Sequence, residues 1–453
     1  MERFDVLVLG GGPAGCVLAA RLSENPDRSV CLVEAGPDYG PYADGRWPAD
    51  ILDARQLALD SHCWKRDDEN DRSQLRARIL AGCSAHNACV LLRGAPSDYD
   101  EWGPGWTHAE LGPYLDRGEH ALEAREQDED ELSPWHRAFR DTAGDDAIVH
   151  VVNAKGGVRW NAAFAYVDAA RARPNLTIRA HTIVDRVVTT EGRAPGAVTS
   201  GGELAADTVA VTAGAYGSPG ILLRSGIGPR EDLHRHGIPL VTELPVGEGL
   251  ADHVGTAAEW TPTDRLTAET AEFEREHALV MAAVTVRHRS SACPPGVCDV
   301  FMFPAIDPGY EISAAVFAMK PRSRGSVRLT ARDPESPLAI DHGFLRDDAD
   351  ADVLAEGFDA LRDFVRAELP RRYTGTELRP GAEVDAGTYV RQSARGFFHP
   401  TGTCAIGLVV DERLRVLGFE NLYVADASVM PTIPRANTHL STVAIAERAA
   451  EWI

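Results

Sequence analysis

Two short, mainly apolar runs open the chain, with a longer apolar stretch of helical length between them. Residues 5–9 and 29–33 have the length and composition that are typical of strands buried on both faces of a parallel sheet. Residues 16–22 predict a helix between these two strands. This order predicts a βαβ unit at the start of the chain.

Later apolar runs predict further elements before residue 254. These elements are helices over residues 106–122 and 161–172 and strands at 176–179, 182–189 and 208–212. Ser218-Pro219 predicts the start of another helix, because proline is tolerated in the first turn, and residues 225–228 predict its end.

The pattern changes near residue 254, where several strand-like runs follow one another. They stand at residues 279–286, 299–303, 313–319 and 325–329, and a helix is expected over 350–367. Consecutive strands of this kind predict an antiparallel sheet with helices packed on it. We therefore predict an α/β fold in which an α+β unit is inserted into a parallel-sheet domain.

A glycine-rich turn joins the first strand to the first helix, with Gly10, Gly12 and Gly15 in GxGxxG spacing. Gly10 permits the tight turn, Gly12 lets a pyrophosphate approach the backbone, and Gly15 lets the helix pack on the strand. The free N–H groups at the helix start hold negative charge. Glu34 ends the second strand, where it can accept hydrogen bonds from a ribose. The segment predicts a dinucleotide site, and the alternative is an ordinary βαβ unit with a glycine turn.

Composition limits the class of protein. The chain has 453 residues, enough for two or three domain-sized units, and its 25% charged and 44% hydrophobic residues are ordinary for a globular protein. A net charge of −22 without a basic patch argues against nucleic acid as a partner. No apolar run reaches transmembrane length and no signal peptide precedes the first strand, so we expect no membrane association and a cytoplasmic location.

The eight cysteines are scattered along the chain. Cys293 and Cys298 stand close enough in sequence to pair or to bind a metal, but no second pair of this kind accompanies them. We therefore expect reduced cysteines and no metal site.

Small residues crowd positions 81–85, which suits a backbone pressed against a flat ligand or another chain segment. His86 and Asn87 follow directly. Taken alone, these two residues are equally compatible with a capped helix start.

With the glycine-rich turn, residues 76–103 resemble the first signature of the glucose–methanol–choline (GMC) flavin oxidoreductases, in which a Gly-Gly-Ser-Ser-x-x-Asn-like loop lies over the flavin. Ala81 and Cys83 depart from that pattern. Residues 82–87 are most similar to the choline-oxidase branch, where a histidine at the position of His86 is bonded to the flavin. The resemblance implies FAD as the cofactor, either bonded covalently to His86 or packed against it without a bond.

Later segments carry the same resemblance. They are residues 214–228, which match the second GMC signature, and residues 245–253, 323–329, 397–404 and 421–439. The resemblance implies a Rossmann-type FAD-binding domain over residues 1–253, a substrate-binding domain over 254–395 and a C-terminal return to the FAD-binding domain over 396–453.

The family pattern also implies which residues contact the cofactor. These are Gly10, Gly12, Pro13, Ala14, Gly15, Glu34, Ala35, Arg78, Gly82, Ser84, His86, Asn87, Ala88, Val184, Ala213, Asp426, Ala427, His439 and Leu440.

Two histidines near the C-terminus carry the chemistry that the resemblance implies. His399 lies at the position of the family's active-site histidine, and His439 at a second position where members have His or Asn. Alcohol oxidation removes a carbon-bound hydride, which the flavin accepts, and a hydroxyl proton, which imidazole is suited to accept near neutral pH. We expect His399 to be the base and His439 its hydrogen-bonding partner, although the two roles can be exchanged.

The resemblance implies an FAD-dependent oxidoreductase that oxidises the CH–OH group of a small polar alcohol to a carbonyl. The alcohol can be a sugar, an aminosugar, a choline-like compound or another natural product, and Ala88, where choline-oxidase relatives have serine, weakens the choline-like alternative. The electron acceptor, oxygen or another, and the oligomeric state stay open. Two alternatives are a lyase of the same fold that cleaves cyanohydrins with a redox-silent FAD, and a flavin-binding protein without turnover, against which His399 argues.

Overall fold

The computed structural model describes residues 1–66, 68 and 71–453. Its strands, in chain order, are β1 (Glu2–Leu9), β2 (Val30–Val33), β3 (Arg125–Glu126), β4 (Ala147–Val149), β5 (Val151–Val152), β6 (Ala154–Lys155), β7 (Val158–Arg159), β8 (Leu176–Arg179), β9 (Val184–Thr190), β10 (Arg193–Thr199), β11 (Gly202–Val211), β12 (Glu248–Leu250), β13 (Val254–Pro262), β14 (Val284–His288), β15 (Val300–Ile306), β16 (Ile312–Ala318), β17 (Gly325–Leu329), β18 (Leu338–Asp341), β19 (Thr374–Arg379), β20 (Arg395–Gly396) and β21 (Leu422–Val424).

The α-helices of the described residues are α1 (Pro13–Leu22), α2 (Ala49–Leu52), α3 (Pro96–Asp100), α4 (His108–Ala121), α5 (Pro134–Ala143), α6 (Asp168–Ala170), α7 (Gly214–Arg224), α8 (Arg230–Arg235), α9 (Asp264–Phe273), α10 (Asp348–Val365), α11 (Ala386–Ser393) and α12 (Thr438–Ala449). A π-helix (Ala163–Val167) leads into α6, and a 3₁₀ helix (Gly82–Ala85) lies in the small-residue loop.

The first sheet has the strand order β8-β2-β1-β11-β10-β9, with β21 also paired to β11. Strands β8, β2, β1 and β11 are parallel, whereas β10 and β9 extend the sheet in antiparallel pairs. The long strand β11 pairs with β10 through its first half and with β21 through its second half. Because β21 runs parallel to β11, the C-terminal part of the chain returns to the sheet that opens it.

Helix α12 completes this return by packing beside α1, the first helix of the chain. The guanidinium of Arg21 in α1 binds the carboxylate of Glu447 in α12 at 2.9 Å, and Glu447 is buried. A buried carboxylate without such a partner would be costly, so the pair fixes the register of the two helices.

The second sheet is antiparallel throughout and has the order β19-β13-β16-β15-β14-β4, with β20 also paired to β13. Helix α10 covers one face by placing Leu354, Phe358 and Leu361 in a core with Val300 and Val316. Strand β4 lies before residue 254, so this sheet takes residues from both sides of the expected domain boundary, which stays a prediction.

A third sheet, β12-β17-β18, packs on α7 through Tyr216, Leu250 and Val327. The expected strand at residues 325–329 is therefore present, but it pairs with β12 and β18 rather than with the second sheet. The predicted α/β fold with an antiparallel second sheet is confirmed.

Helix α7 begins earlier than expected. It starts at Gly214 rather than at Ser218, so Pro219 lies inside the helix and cannot donate to the carbonyl of Ala215 four residues before it. The hydroxyl of Thr403 donates to that carbonyl at 2.7 Å instead. The prediction of proline in the first turn was wrong because a tertiary contact satisfies the group that the proline leaves free.

The helix expected over residues 161–172 is shorter and largely buried. Its first turns are π-helical, and the side-chain oxygen of Asn161 accepts the N–H groups of Ala163 at 3.0 Å and Phe164 at 3.2 Å.

None of the described helices combines the length and the apolar composition needed to cross a membrane. All eight cysteines are free thiols. Within residues 1–66, 68 and 71–453 there is no group of three or more His, Cys, Asp or Glu side chains that could hold a metal ion.

Candidate active site

The glycine-rich turn between β1 and α1 leaves open space at one glycine and allows close packing at another. A Cβ on Gly15 would lie 1.9 Å from the carbonyl oxygen of Gly10, so only glycine fits where the helix meets the turn. A Cβ on Gly12 would meet only the carbonyl oxygen of Thr212, at 3.9 Å. The turn, with Pro13 and Ala14 starting α1, therefore keeps its outer side open at Gly12.

Glu34 lies at the end of β2 beside this turn. Its carboxylate accepts the N–H groups of Gly11 at 2.9 Å and Gly36 at 2.7 Å, and burial raises the pKa of Glu34 to about 7. Arg78 donates to the carbonyl of the adjacent Ala35 at 3.4 Å. The structure thus brings Glu34, Ala35 and Arg78 together at the edge of the turn.

The small-residue loop lies directly on the glycine-rich turn. The N–H of Ala81 donates to the carbonyl of Gly11 at 2.8 Å, and Gly82 begins the 3₁₀ helix that follows. The hydroxyl of Ser84 donates to the Ala81 carbonyl at 2.7 Å and accepts the N–H of Ala162 at 3.0 Å. The two hydrogen bonds of the Ser84 hydroxyl thereby fix the shape of the loop.

His86 follows this loop as a buried side chain. Its Nε2 is shielded from solvent and has no hydrogen-bond partner among the described residues. Burial, with Arg159 and His62 nearby, lowers the pKa of His86 to about 4, so the imidazole is neutral at pH 7.

Asn87 connects the loop to the C-terminal part of the chain. Its side-chain oxygen accepts the N–H of Cys89 at 3.0 Å, and its amide nitrogen lies 3.4 Å from Nδ1 of His439. The neighbouring Ala88 packs against Ala436 and Val90. Residues separated by 352 positions are therefore in contact here.

Asp426 holds the start of α7 against the segment after β21. Its buried carboxylate accepts the N–H of Gly214 at 2.8 Å, the hydroxyl of Ser218 at 2.6 Å and the N–H of Ser428 at 2.8 Å. The N–H of Ala213 donates to the Ser218 hydroxyl at 3.0 Å.

The remaining expected cofactor residues lie in three different elements. Ala427 follows Asp426 in a 3₁₀ helix, and Leu440 is buried in the first turn of α12. Val184 begins β9, where its carbonyl lies 3.5 Å from the guanidinium of Arg224.

His399 follows a strained turn that Asp252 holds in place. Phe398 has φ of 63°, which is uncommon for a residue with a bulky side chain. Oδ1 of Asp252 accepts the N–H groups of His399 at 2.9 Å and Phe397 at 3.3 Å. Burial raises the pKa of Asp252 to about 7, whereas the nearby Arg76 acts in the opposite direction.

The ring of His399 lies between His253 and Asn437. Its Nδ1 is 3.0 Å from Nδ1 of His253, and its Nε2 is 3.3 Å from the amide nitrogen of Asn437. Burial, together with His253 and Arg76, holds the pKa of His399 well below its usual range. The imidazole is therefore a neutral group at pH 7.

His439 lies at the start of α12, two residues after Asn437. Its Nε2 is inaccessible to water and makes no hydrogen bond within the described part of the chain. Burial lowers the pKa of His439 to about 4. Because Asn437 contacts His399 while His439 contacts Asn87, this turn joins the two expected catalytic histidines to the small-residue loop.

A cluster of phenylalanines lies beside the His399 ring. The ring centre of Phe397 is 4.6 Å from that of His399, and Phe397 stacks on Phe317 at 3.9 Å and meets Phe303 at 4.9 Å. Phe301 and Met319 complete the cluster, which lies on the second sheet. One wall next to His399 is therefore apolar and aromatic.

The sequence did not assign roles to His253, Asp252 or Asn437, although all three stand in segments that resemble the family. Their positions depend on strand register: β13 pairs with β20 through Val254 and Gly396, and Ala251 bridges to Thr401. This register places residues 252 and 253 beside 397–399. In the sequence, only the Asp252-His253 dipeptide directly before a strand could have indicated a role for these residues.

These residues fit a bound FAD. The turn leaves free space at Gly12 beside the helix start, where a pyrophosphate can approach the backbone. The buried Nε2 atoms of His86 and His439 lack partners in the described part of the protein, and buried polar atoms of this kind generally have one. A flavin packed against His86 would supply a contact to that Nε2 atom, and the Nε2 atom of His439 would stay available for a substrate.

Two models described as GMC oxidoreductase match the chain, one over residues 134–255 and the other over residues 321–446. A model described as lycopene cyclase protein matches residues 5–68, the segment with the glycine-rich turn.

Similar proteins cover the whole chain. The 5-(hydroxymethyl)furfural oxidase of Methylovorus sp. is 32% identical over 99% of this chain and 98% of its own length. The oxygen-dependent choline dehydrogenase of Paraburkholderia phytofirmans is 30% identical over 100% of this chain and 94% of its own length. The crystal structure of pyridoxine 4-oxidase from Mesorbium loti superposes with a TM-score of 0.87 and 26% identity, covering 99% of both chains.

Proposed function

This chain belongs to the GMC oxidoreductase family, and on that premise we propose that it oxidises aromatic primary alcohols at a site formed by His399, His439 and the phenylalanine cluster. It is an FAD-dependent oxidoreductase that converts a CH–OH group to a carbonyl. The relatives do not favour the lyase alternative. When bound, FAD supplies the hydride acceptor.

The contact between Phe397 and His399 carries the proposal. A base must lie within hydrogen-bond reach of the hydroxyl proton, so the rest of the alcohol must fit beside His399. The group beside His399 is the Phe397 ring, which is stacked on Phe317. A flat apolar ring next to the CH–OH group suits this wall better than a polyhydroxy compound does.

His399 accepts the hydroxyl proton in this proposal. Its imidazole is neutral at pH 7, so a lone pair is available. His439 holds the substrate oxygen through its free Nε2, which limits the motion of the O–H group relative to the base.

Gly255 supports the assignment of the aromatic wall. A Cβ at Gly255 would lie 2.2 Å from a ring carbon of Phe317 and 2.3 Å from the carbonyl oxygen of Val316. Glycine at this point of β13 therefore allows Phe317 to lie across the strand and reach Phe397. The names of the furfural and pyridoxine oxidases also denote ring compounds, which agrees with this substrate class.

An anaerobic screen of alcohols with the holoenzyme tests this proposal. We expect furan-, pyridine- and benzene-methanols to bleach the flavin absorbance at lower concentrations than glucose does. Choline is the informative comparison, because an aromatic wall also suits a quaternary ammonium group. Bleaching by choline or a sugar but not by aromatic alcohols would contradict the substrate class, and bleaching by none would contradict the redox function.

A covalent bond between His86 and FAD is part of the proposal. The unpartnered Nε2 of His86 and its neutral imidazole, together with the resemblance of its loop to the choline-oxidase branch, support it. Acid precipitation of the wild-type protein should give a yellow pellet. His86→Ala should release flavin into the supernatant, whereas His234→Ala, an exposed histidine in α8, should behave as wild type. A colourless wild-type pellet would contradict the bond.

Oxygen is the proposed electron acceptor, and the cytoplasm the proposed location. The printed names of the oxidase and oxygen-dependent relatives support the former, and the eight free thiols support the latter. Oxygen consumption during turnover with an alcohol tests the acceptor, and turnover that requires an added dye would contradict it. Fractionation of the producing cells tests the location, and recovery of the protein outside the cytoplasm would contradict it.

A further inference from the structure

Four groups form a continuous line of hydrogen bonds through the ring of His399. The carbonyl oxygen of Pro434 is 3.0 Å from Nε2 of His253, and Nδ1 of His253 is 3.0 Å from Nδ1 of His399. At the other side of the ring, Nε2 of His399 is 3.3 Å from the amide nitrogen of Asn437. This line has one fixed end, because a carbonyl oxygen can only accept.

The fixed end determines where each proton lies. Nε2 of His253 must carry a hydrogen to bond the Pro434 carbonyl, so Nδ1 of a neutral His253 has only a lone pair. The facing Nδ1 of His399 must then donate, which leaves the lone pair of His399 on Nε2. The amide nitrogen of Asn437 is a donor and requires the same lone pair on Nε2. Both ends of the line agree.

A protonated His253 would break this assignment, but its surroundings oppose the charge. The residue is 0% exposed, and burial lowers the pKa of His253 to about 3. The backbone carbonyls of Pro434 and Met319 act in the opposite direction, whereas Lys320 and Arg435 act with burial, and the lowering of the pKa prevails. His253 is therefore neutral over the range in which the enzyme is expected to work.

We propose that His253 is a positioning residue that fixes the tautomer of His399, so that the lone pair lies on Nε2, where the substrate hydroxyl takes the place of the Asn437 amide as its donor. The inference rests on the proposed function of His399 as the base. In the proton transfer the alcohol O–H bond breaks, its proton bonds to Nε2 of His399 and the oxygen keeps the electron pair. Those electrons would form the carbonyl as the carbon-bound hydrogen leaves with its own electron pair, for which FAD, when bound, would supply the acceptor.

A neutral partner has a different effect from a carboxylate in this position. His253 accepts the Nδ1–H of His399 without adding a negative charge, so it orients the ring while leaving the imidazole unprotonated. Asp252, the adjacent carboxylate, instead binds the backbone N–H groups of residues 397 and 399. The two residues thus divide ring orientation and backbone position between them.

Nitrogen-15 NMR of the histidine-labelled holoenzyme tests the tautomer without reference to turnover. Near pH 7, Nδ1 of His399 should show the shift of a protonated nitrogen and Nε2 that of an unprotonated one, with His399→Gln identifying the two signals. A His399 protonated on Nε2 in wild type would overturn the inference. Failure of the proposed role of His399 as the base is a distinguishable result. In that case the FAD of His399→Gln would be reduced by the alcohol at the wild-type rate.

Two variants of His253 separate its bond to His399 from its bond to Pro434. In His253→Asn the side-chain oxygen can take the place of Nδ1 and accept from His399, but the bond to Pro434 is lost. In His253→Gln the side-chain amide can reach Pro434, but the acceptor for His399 is lost. We expect Asn to retain kcat within a few-fold and Gln to lose ~10-fold or more in kcat with a smaller change in KM.

The tautomer should follow the same order, with the Nδ1–H signal of His399 kept in His253→Asn and lost in His253→Gln. Equal loss of kcat in both variants, with an unchanged His399 tautomer, would assign His253 a purely structural role. Full activity in His253→Gln would also overturn the inference.

Discussion

The side chains around His399 offer it hydrogen bonds rather than a counter-charge. His253 and Asn437 contact its ring, and the nearest carboxylate bound to its backbone, that of Asp252, itself has a pKa raised to about 7 by burial. A fully charged carboxylate at the ring would raise the pKa of the imidazole and favour its protonated form. The observed surroundings keep His399 neutral, which a base requires at pH 7.

The contribution of the phenylalanine cluster to substrate binding can be tested by replacing single residues. Replacing Phe317 with Leu should raise KM for an aromatic alcohol about 10-fold, because the stacked ring that supports Phe397 is lost. Phe301→Leu is the matched control, since Phe301 belongs to the same cluster but meets Phe303 at 6.2 Å rather than Phe397. Steady-state kinetics on both variants decide this, and an equal change in KM would contradict the wall.

The residues of the site differ in how far the sequence could predict them. His399, His439 and the cofactor loop lie in long motifs, so their proximity could be expected before the structure was known. The role of His253 could not, because it depends on the pairing of Val254 with Gly396 and on the carbonyl of Pro434. His253 is 146 positions from His399 and 181 positions from Pro434, and local sequence patterns do not predict contacts over such separations.

At the scale of elements, α7 shows how one side chain compensates for a proline inside a helix. Pro219 leaves the carbonyl of Ala215 without its usual donor, and the buried hydroxyl of Thr403 takes that place. Local propensity alone favoured a helix that starts at Ser218. The tertiary contact from the segment that follows His399 extends the helix to Gly214 and ties it to the active site.

Thr403→Val should therefore destabilise the protein by about 1–3 kcal/mol, the cost of a buried acceptor without a partner. Thr401→Val is a close control, because Thr401 is also buried and its hydroxyl makes only a 3.4 Å contact with the carbonyl of Ala251, which already accepts the Thr401 N–H at 2.9 Å. Denaturant unfolding of the holoenzymes measures both. Equal losses in the two variants would show that the Ala215 contact contributes nothing specific.

The turn between β1 and α1 provides a second prediction at this scale. Gly12→Glu should abolish FAD binding while leaving the circular dichroism of the protein unchanged, because the new charge would occupy the space open at Gly12. Gly112→Glu, in α4 and with nothing within 4 Å of its Cβ, is the control. Recovery of the Gly12 variant with a full complement of flavin would exclude the turn from the cofactor site.

At the scale of the whole molecule, the candidate active site lies where the three larger sheets meet. One segment runs from β12 of the third sheet into β13 of the second, and Asp252 and His253 stand between these strands. The segment after β20 carries His399, and α12, packed against the first helix, carries His439. The sequence predicted strands of all three sheets but not β10, β12 or β13, and the assembly of distant segments followed from pairings that no local pattern contains.

Buried neutral histidines predict the pH dependence of stability. Burial lowers the pKa to about 3 or 4 in six of them, His86, His136, His150, His253, His342 and His439. In the unfolded chain these side chains bind protons near pH 6.5, so their contribution is present above pH 6.5 and is lost as the pH falls towards 4. Glu34 and Asp252, with pKa values raised to about 7, act in the opposite direction.

The free energy of unfolding should therefore fall as the pH decreases from 6.5 to 4, because unfolding takes up several protons in this range. Denaturant unfolding of the holoenzyme across this range measures the slope, and His136→Gln should reduce it by about one proton. A free energy of unfolding that is constant or rises as the pH falls from 6.5 to 4.5 would contradict the assignment of neutral buried histidines.

In the proposed reaction His399 takes the hydroxyl proton while the alcohol reduces the flavin. Anaerobic stopped-flow reduction with an aromatic alcohol tests it most directly, comparing wild type with His399→Gln and with the exposed control His234→Gln. All three proteins should bind FAD, and only His399→Gln should lose ~10²–10⁴-fold in the limiting rate of reduction. A His399→Gln enzyme that is reduced at the wild-type rate would contradict it.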